Sequence, residues 1–235
     1  MPQKGPGVSP VLNLTFWRSH AASYGAWPTL KCLGHRATNH LIPHATLVCV
    51  LAELENVDKA FLNIPRGFEA RFLSPRELQS LSQIKDYDIL EAFLRDASEK
   101  GDECYAILDG NRAAAFGWYS RLPTAINKDL KVRFDPEYVY MYFGYTHPDY
   151  RGKRLHAIGM TRALYEYTQR GCKGMISFVH SDNFPSLRSC ERMGYKEIGR
   201  IYSAKIGGRH WIRASKECRA LQLELVPNVV APPPN

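Results

Sequence analysis

The sequence predicts an α/β protein with a central mixed β-sheet and helices on both faces of that sheet. Strand and helix patterns alternate from residue 68 onward. A dense aromatic and β-branched run at 138–146 and a nearly all-apolar run at 174–179 indicate strands in the middle of the sheet. The chain has 235 residues and 45% apolar content, so it is long enough to bury a full hydrophobic core.

The first quarter of the chain lacks this alternation. Residues 1–66 are expected to form an irregular extension, since Pro28 and Pro43 interrupt them and Pro65-Arg66-Gly67 closes them. We therefore expect residues 67–226 to form the domain and to fold without the first 60 or so residues. The proline-rich residues 227–235 are expected to be a disordered tail.

The domain is expected to open with a strand and two helices. Residues 68–73 alternate apolar and polar side chains, as a strand does. A helix follows to about Gln83, because Ser74 suits its N-cap and Pro75 its first helical position. Apolar residues at helical spacing predict a second helix within 87–100.

Three strands are expected next. The tight turn Asp109-Gly110-Asn111 predicts a hairpin that joins strands 104–108 and 112–120. The aromatic run 138–146 forms the third strand, which His147-Pro148 ends.

The last part of the domain alternates helix and strand. A long helix is predicted over 152–170, a buried strand over 174–179, and a second helix over 183–193 that Gly194 ends. Weaker strand patterns cover 195–202, 211–214 and 221–226.

Composition narrows the function classes. A net charge of +8 favours polyanionic partners, but no Lys/Arg run lies on a recognisable nucleic-acid module, so nucleic-acid binding is not expected. No run of about 18 apolar residues occurs, which predicts no membrane span, and without a secretory signal pattern the cytoplasm is the expected location.

The six cysteines are interpreted as reduced thiols. No metal is expected. Four closely spaced side chains could ligate one, but they match no specific zinc pattern; these are Cys32, His35, His40 and His44.

The junction between the strand at 138–146 and the long helix suits a phosphate group. A helix N-terminus exposes unpaired amides and the positive end of the helix dipole. Arg151, Lys153 and Arg154 lie at this N-terminus, where cations oppose the dipole, so their clustering indicates a bound anion.

Two motifs stand in a fixed order on this framework. The first is Tyr150-Arg151-Gly152-Lys153, directly after the strand that ends in a proline turn. The second is a helix that begins at Asn183 and ends in Glu191-Arg192-Met193-Gly194-Tyr195. With these motifs the chain resembles the GNAT acyltransferases over about residues 68–226, most closely over 138–202.

That resemblance implies a donor site for acetyl-CoA or another acyl-CoA as co-substrate. Phe143, Gly144 and Tyr145 would line the pantetheine arm, and Asn183 would contact the donor near its thioester. Backbone amides of the helix start would hold the pyrophosphate; these belong to Arg151, Gly152, Lys153, Arg154, Leu155 and His156.

The loop departs from the family pattern at two positions. Arg154 and His156 stand where the family has Gly and Gly or Ala, which makes this an atypical pyrophosphate loop. An acyl carrier protein presents the same pantetheine arm without the nucleotide, and its acidity suits a basic chain. A carrier-dependent N-acyl synthase is therefore an alternative to a CoA-dependent enzyme.

The catalytic groups are less defined than the donor site. Cys190 stands where many family members place the Tyr that protonates the leaving thiolate, although a buried apolar Cys is the favoured interpretation. Glu137, or a water held by Tyr140, is the candidate general base. The sequence thus predicts an N-acyltransferase acting on a small-molecule amine of unknown identity, with a catalytically silent acyl-CoA-binding module as the remaining alternative.

Overall fold

The computed structural model describes residues 14–41, 43–87 and 89–228. The helices are α1 (Leu14–Tyr24), α2 (Ala26–Leu41), α3 (Pro75–Ser82), α4 (Glu91–Lys100), α5 (Leu155–Gln169), α6 (Phe184–Arg192) and α7 (Lys216–Ala220). The strands are β1 (His44–Ala52), β2 (Glu69–Phe72), β3 (Glu103–Asp109), β4 (Arg112–Ser120), β5 (Thr124–Ala125), β6 (Leu130–Arg133), β7 (Tyr138–Thr146), β8 (Gly174–His180), β9 (Lys196–Ile206), β10 (Arg209–Ala214) and β11 (Glu224–Pro227).

Within these residues, eight strands form one mixed sheet in the order β10-β9-β1-β8-β7-β4-β3-β2. Strands β7 and β8 run parallel, whereas each of the other neighbouring pairs is antiparallel. A small second sheet has the order β11-β6-β5. The predicted α/β class with a central mixed sheet is confirmed.

Alternation along the strands separates two layers of core. On β3, Tyr105 and Ile107 pack with α5, whereas Cys104 and Ala106 pack with α3 and α4 on the other face. The helices therefore cover both faces, as the sequence predicts. All six cysteines are buried, and no disulfide joins any two of them.

Local sequence signals account for the helix starts. Ser74 accepts a hydrogen bond from the Glu77 amide, and the Glu77 carboxylate accepts one from the Ser74 amide, which forms a reciprocal capping box at α3. At α6 the Asn183 side chain accepts from the Ser186 amide at 3.3 Å. None of the helices described is long and apolar enough to cross a membrane.

The expectation for residues 1–66 is wrong in the part that the structure describes. Residues 44–52 form β1 in the interior of the sheet, paired with β8 through Leu47 to Ala52 and with β9 through His44 to Leu51. Helices α1 and α2 precede it. Pro43 and Glu53 lie just outside the two ends of this strand, so they do not interrupt it. The apolar run between them is short, but a strand that is buried on both faces requires no more. The expected disordered tail lies outside the described residues from position 229 onward.

The position of β1 predicts the outcome of truncation. Removing residues 1–60 deletes β1 and should abolish cooperative folding, since β8 and β9 both lose a neighbour and leave unpaired backbone groups. Removing residues 1–41 keeps β1 and serves as the control, with a cooperative thermal transition expected. Circular dichroism melts of both fragments test this, and a folded 61–235 fragment would show that β1 is dispensable.

Candidate active site

The divergence of two parallel strands creates the site. Strand β7 pairs with β8 only through Tyr138, Val139 and Tyr140. Beyond them β7 continues beside β4 and β8 continues beside β1, so the two strands separate. At the point of separation the Ser177 hydroxyl donates to the Met141 carbonyl at 2.8 Å, which replaces a strand-to-strand bond with a side chain. The edge of β7 that faces β8 is thereby open to an extended ligand.

A bulge in β7 lies at the same level. Trp118 is opposite Phe143 and Tyr119 is opposite Met141, so Tyr142 is an extra residue without a partner on β4. The Tyr142 hydroxyl donates to the Asp102 carboxylate at 2.8 Å, and that carboxylate also pairs with Lys100 at 2.8 Å. The Asp102 side chain is 1% exposed, so this contact anchors the bulge in the protein interior.

The start of α5 lies beside the open edge of β7. Gly152 and Arg154 both have left-handed backbone, with φ of 82° and 60° respectively, and Arg154 makes no side-chain capping bond at the N-cap. Arg151, Lys153 and Arg154 are exposed. The first-turn amides and three cations thus form a positive rim around the helix N-terminus.

Each predicted donor residue can be placed on this framework. Phe143 and Tyr145 direct their rings to the face opposite α5, where the Tyr145 hydroxyl donates to the Asp86 carbonyl at 2.7 Å. Between them Gly144 leaves room for His156 of α5; a Cβ there would lie 2.9 Å from its Nε2 and 2.8 Å from Met141 Cε. Leu155 is buried in the core under α5.

The imidazole of His156 therefore covers β7 at Gly144 on the α5 face of the sheet, next to the open edge. Burial lowers its pKa to about 4, so the ring is neutral at physiological pH. The bulky residue at this position does not clash with the fold, because Gly144 provides the space that a side chain would otherwise fill.

A cavity of about 1110 Å³ begins where β7 and β8 separate. Its walls come from β7, β8, the turn between β5 and β6, strands β9 and β10, and helices α1 and α2. Arg188 of α6 ties α1 to this wall, since its guanidinium lies 4.7 Å from the Tyr24 ring centroid and donates to the Ser23 carbonyl at 3.2 Å. The N-terminal helices thus help to enclose the cavity.

The end of β8 brings polar groups into this cavity. His180, Asp182 and Asn183 all line it. Burial lowers the pKa of His180 and the nearby negative charge of Asp182 acts in the opposite direction, with burial the larger effect. His180 is therefore a neutral base beside the point of strand separation.

Sequence reasoning did not select His180 or Asp182. The available signal was their position between the buried strand 174–179 and Asn183, a residue already expected near the thioester. Because β1 lies beside β8 and α1 folds over its end, only the assembled structure shows that this segment faces a cavity.

The three predicted catalytic residues have different surroundings. Glu137 does not line the cavity; its carboxylate is half exposed and pairs with Lys173 at 2.6 Å. Tyr140 lines the cavity, and burial raises its hydroxyl pKa well above the ordinary range. Cys190 is buried in the core on the α5 side, and burial raises its thiol pKa to about 11. Both Glu137 and Cys190 thus lie apart from the cavity lining.

In the described part of the chain, no group of three or more His, Cys, Asp or Glu side chains is arranged to hold a metal ion. The described residues of the site offer amides, cations, histidines and the carboxylates of Asp129 and Asp182 around an open strand edge. These groups suit the binding of an extended phosphorylated ligand and proton transfer next to it.

A model of the acetyltransferase (GNAT) family matches residues 69–195, which are 127 of the 235 residues. The chain belongs to the GNAT family. It is accordingly an N-acetyltransferase by family, and GNAT enzymes use acetyl-CoA as donor. No curated protein sequence matches the chain.

Solved GNAT structures resemble this chain at low identity. A GCN5-related N-acetyltransferase-like protein from Streptococcus suis has 12% identity and a TM-score of 0.49, covering 76% of this chain and 67% of that one. A GCN5-related N-acetyltransferase from Kribbella flavida has 15% identity and a TM-score of 0.46, covering 78% and 62%. The aminoglycoside N-acetyltransferase AAC(6')-Iy in complex with CoA has 18% identity and a TM-score of 0.45, covering 57% and 93%.

The backbone of the GNAT loop predicts a stability effect at Arg154. Its φ of 60° is costly for a residue with a side chain, by roughly 1–2 kcal/mol, and glycine avoids that cost. Glycine also makes the unfolded chain more flexible, so Arg154→Gly should leave the melting temperature unchanged or raise it slightly. Arg151→Gly is the matched control, since its φ is −60°, and should lower the melting temperature. A clear loss of stability in Arg154→Gly alone would contradict this.

Proposed function

We propose that this chain transfers an acetyl group from acetyl-CoA to an amine held in the cavity. The observation that carries the proposal is the opening between β7 and β8, which has the positive N-terminus of α5 at one side and the cavity at the other. A phosphorylated, extended donor fits the opening and the N-terminus of α5, and an acceptor fits the cavity. The transfer then takes place where the strands separate.

The donor's pyrophosphate is placed at the start of α5. The first-turn amides of α5 are available to it, whereas the amides of Arg151 and Lys153 donate to carbonyls within the loop. The exposed side chains of Arg151, Lys153 and Arg154 add positive charge. The pantetheine arm runs along the open edge of β7 past Phe143, Gly144 and Tyr145. His156 lies on this path, so in this proposal its neutral ring turns away when the donor enters.

The acceptor amine approaches from the cavity. His180 takes a proton from the ammonium group, and the free amine nitrogen then attacks the thioester carbonyl carbon. The carbon–sulfur bond breaks and the nitrogen loses its second proton as the neutral amide forms. A water carries that proton to the leaving thiolate, which departs as the free thiol. Asn183 at the start of α6 faces the same space and is placed to contact the thioester end of the donor.

This mechanism does not use Cys190 or Glu137. The Cys190 thiol, with a pKa near 11, is a weaker acid than the leaving thiol, whose reference pKa is about 8.5, so proton transfer to the thiolate would be uphill. Tyr140 contributes its ring to the cavity wall. Because burial raises the pKa of its hydroxyl, that hydroxyl stays protonated and does not serve as the base.

A carrier-linked donor is the second candidate. Its supporting observation is the crowding of the family loop by Arg154 and His156, together with the net charge of +8, which attracts an acidic carrier protein. Such a donor would bring the same arm to β7 without a nucleotide at α5. Parallel assays with acetyl-CoA and acetylated acyl carrier protein distinguish the two.

The donor site is tested by charge reversal. Acetyl-CoA at a hundred times its Kd should stabilise the protein by about 2.7 kcal/mol. Changing both Arg151 and Arg154 to Glu should weaken acetyl-CoA binding by roughly tenfold or more with the fold intact, because each tenfold corresponds to about 1.4 kcal/mol. Calorimetric titration measures the Kd, and unchanged affinity would place the donor elsewhere.

Two further measurements complete that test. His156→Ala should tighten acetyl-CoA binding, because no ring then has to leave the edge of β7. Lys216→Glu, at the exposed start of α7 and outside the cavity lining, is the matched charge control and should leave acetyl-CoA affinity unchanged. Donor binding without transfer to any amine would favour the silent binding module.

The general base is tested through pH. His180→Ala should slow the chemical step by roughly 10²–10⁴ at saturating donor. A base is active when neutral, and burial lowers the pKa of His180 below its ordinary value of 6.5, so activity should persist as the pH falls past 6.5. The acid limb of the kcat/KM profile should therefore lie below that value. His147→Ala is the control, since the imidazole of His147 contacts Arg112 outside the cavity lining. An acid limb that survives in His180→Ala would assign the base to another group.

A further inference from the structure

The lining of the cavity carries information about the acceptor. Six of its lining residues are aromatic: Tyr24, Phe93, Tyr140, Tyr142, Phe143 and Phe178. Tyr140 and Tyr142 stack with ring centroids 6.1 Å apart, and Tyr140 and Phe178 do so at the same distance. Such walls favour apolar and aromatic bodies, and their π-faces attract organic cations.

Among the residues that the structure describes, two carboxylates line the cavity, and they differ in their surroundings. Asp129 accepts from Lys205 at 2.6 Å and lies 3.3 Å from His210 Nε2. These two partners hold the pKa of Asp129 below its usual value and offset its charge. Asp182 lines the same cavity, and in the described part of the chain neither a hydrogen bond nor an ion pair engages its carboxylate. Of the two lysines in the described lining, Lys205 pairs with Asp129, and the charge of Lys128 also acts on Asp129. Asp182 is thus the carboxylate of the described lining that keeps no partner.

Asp182 also has the right location for an acceptor's charged end. It lies between His180 and Asn183, directly after β8, and its charge acts on the His180 imidazole. An ammonium group held by Asp182 is thus beside the base that would deprotonate it and beside the opening that leads to the donor.

The charge balance limits which amines fit. A polycationic amino sugar needs several carboxylates, whereas this cavity has one unpaired carboxylate in a chain of net charge +8. An amino acid brings a carboxylate next to its ammonium, which Asp182 would repel. A monoamine with an aromatic ring needs only one carboxylate and carries no carboxylate that Asp182 would repel. Its ring contacts the aromatic walls.

We propose that the acceptor is an arylalkyl monoamine, whose ammonium group binds Asp182 and whose ring lies among the aromatic side chains of the cavity. This inference rests on the proposed acetyl transfer and specifies the class of its acceptor.

The test uses 2-phenylethylamine with the full chain. Calorimetric titration in the presence of CoA measures amine binding, and release of free thiol from acetyl-CoA with mass spectrometry of the product measures transfer. Three comparison compounds are used: 2-phenylethanol lacks the ammonium group, phenylalanine adds a carboxylate, and kanamycin is a larger polycation without an aromatic ring. We expect 2-phenylethylamine to bind at least tenfold more tightly than each of them and to be converted to its N-acetyl amide.

Asp182→Asn supplies the residue-level test. It should weaken 2-phenylethylamine binding and raise its KM by tenfold or more, while binding of 2-phenylethanol stays as in the wild type, because the alcohol does not use the carboxylate. Glu99→Gln removes an exposed carboxylate on α4 and is the matched control, expected to change neither quantity.

The outcomes separate the two ideas. If 2-phenylethylamine binds and Asp182→Asn weakens it but no amine is acetylated, the amine site stands and acetyl transfer fails. If kanamycin or phenylalanine is the better substrate, acetyl transfer stands and the arylalkylamine inference is overturned. Equal affinity of the wild type and Asp182→Asn for 2-phenylethylamine also overturns it.

Discussion

The separation of β7 from β8 is the feature on which the rest of the site depends. Parallel neighbours normally share evenly spaced hydrogen bonds along their length. Here the pairing between β7 and β8 stops after Tyr140. Each strand is held apart by its outer partner, β7 by β4 and β8 by β1. The sheet can therefore leave backbone groups open in its middle without losing the two halves on either side. An extended ligand finds hydrogen-bonding groups there that the protein itself does not satisfy.

Buried polar contacts keep this opening in shape. The Tyr142 bulge would leave an aromatic hydroxyl in the interior, and the pair of Asp102 with Lys100 satisfies it. Ser177 satisfies the Met141 carbonyl at the other margin. Both contacts lie where the regular hydrogen-bond ladder ends. A buried polar group left without a partner there would cost about 1–3 kcal/mol of stability. The two margins of the opening are thus fixed independently of any ligand.

Burial also determines the state of the histidines around the opening. The pKa values of His156 and His180 are both lowered because their charged forms are poorly solvated. The two rings lie on different sides of the site, one against the open edge of β7 and the other in the cavity. A neutral ring is easily moved from an apolar edge, and a neutral ring in the cavity can accept a proton. One physical cause therefore suits two separate roles in the proposed reaction.

Local patterns in the sequence were sufficient for the fold class and for most elements after residue 68. The Ser74 capping box, the hairpin turn at 109–111 and the apolar periods of α5 and α6 act over a few residues, so they can be recognised without tertiary contacts. The two GNAT motifs also lie within single turns and helix ends. The sequence by itself thus determined the family, the helix N-terminus that faces the opening, and the departures at Arg154 and His156.

Tertiary structure decided what depends on distant partners. Residues 44–52 become an interior strand only because β8 and β9 lie on either side of them, a pairing across more than 120 residues that no local pattern encodes. Helix α1 is held against α6 by Arg188, and residues of α1 line the same cavity as His180 at the end of β8 and Asp182 just beyond it. Glu137 and Cys190 were plausible by position along the chain, yet one faces solvent and the other the core. Side-chain direction and burial are properties of the packed molecule, and the chemistry of this site follows from them.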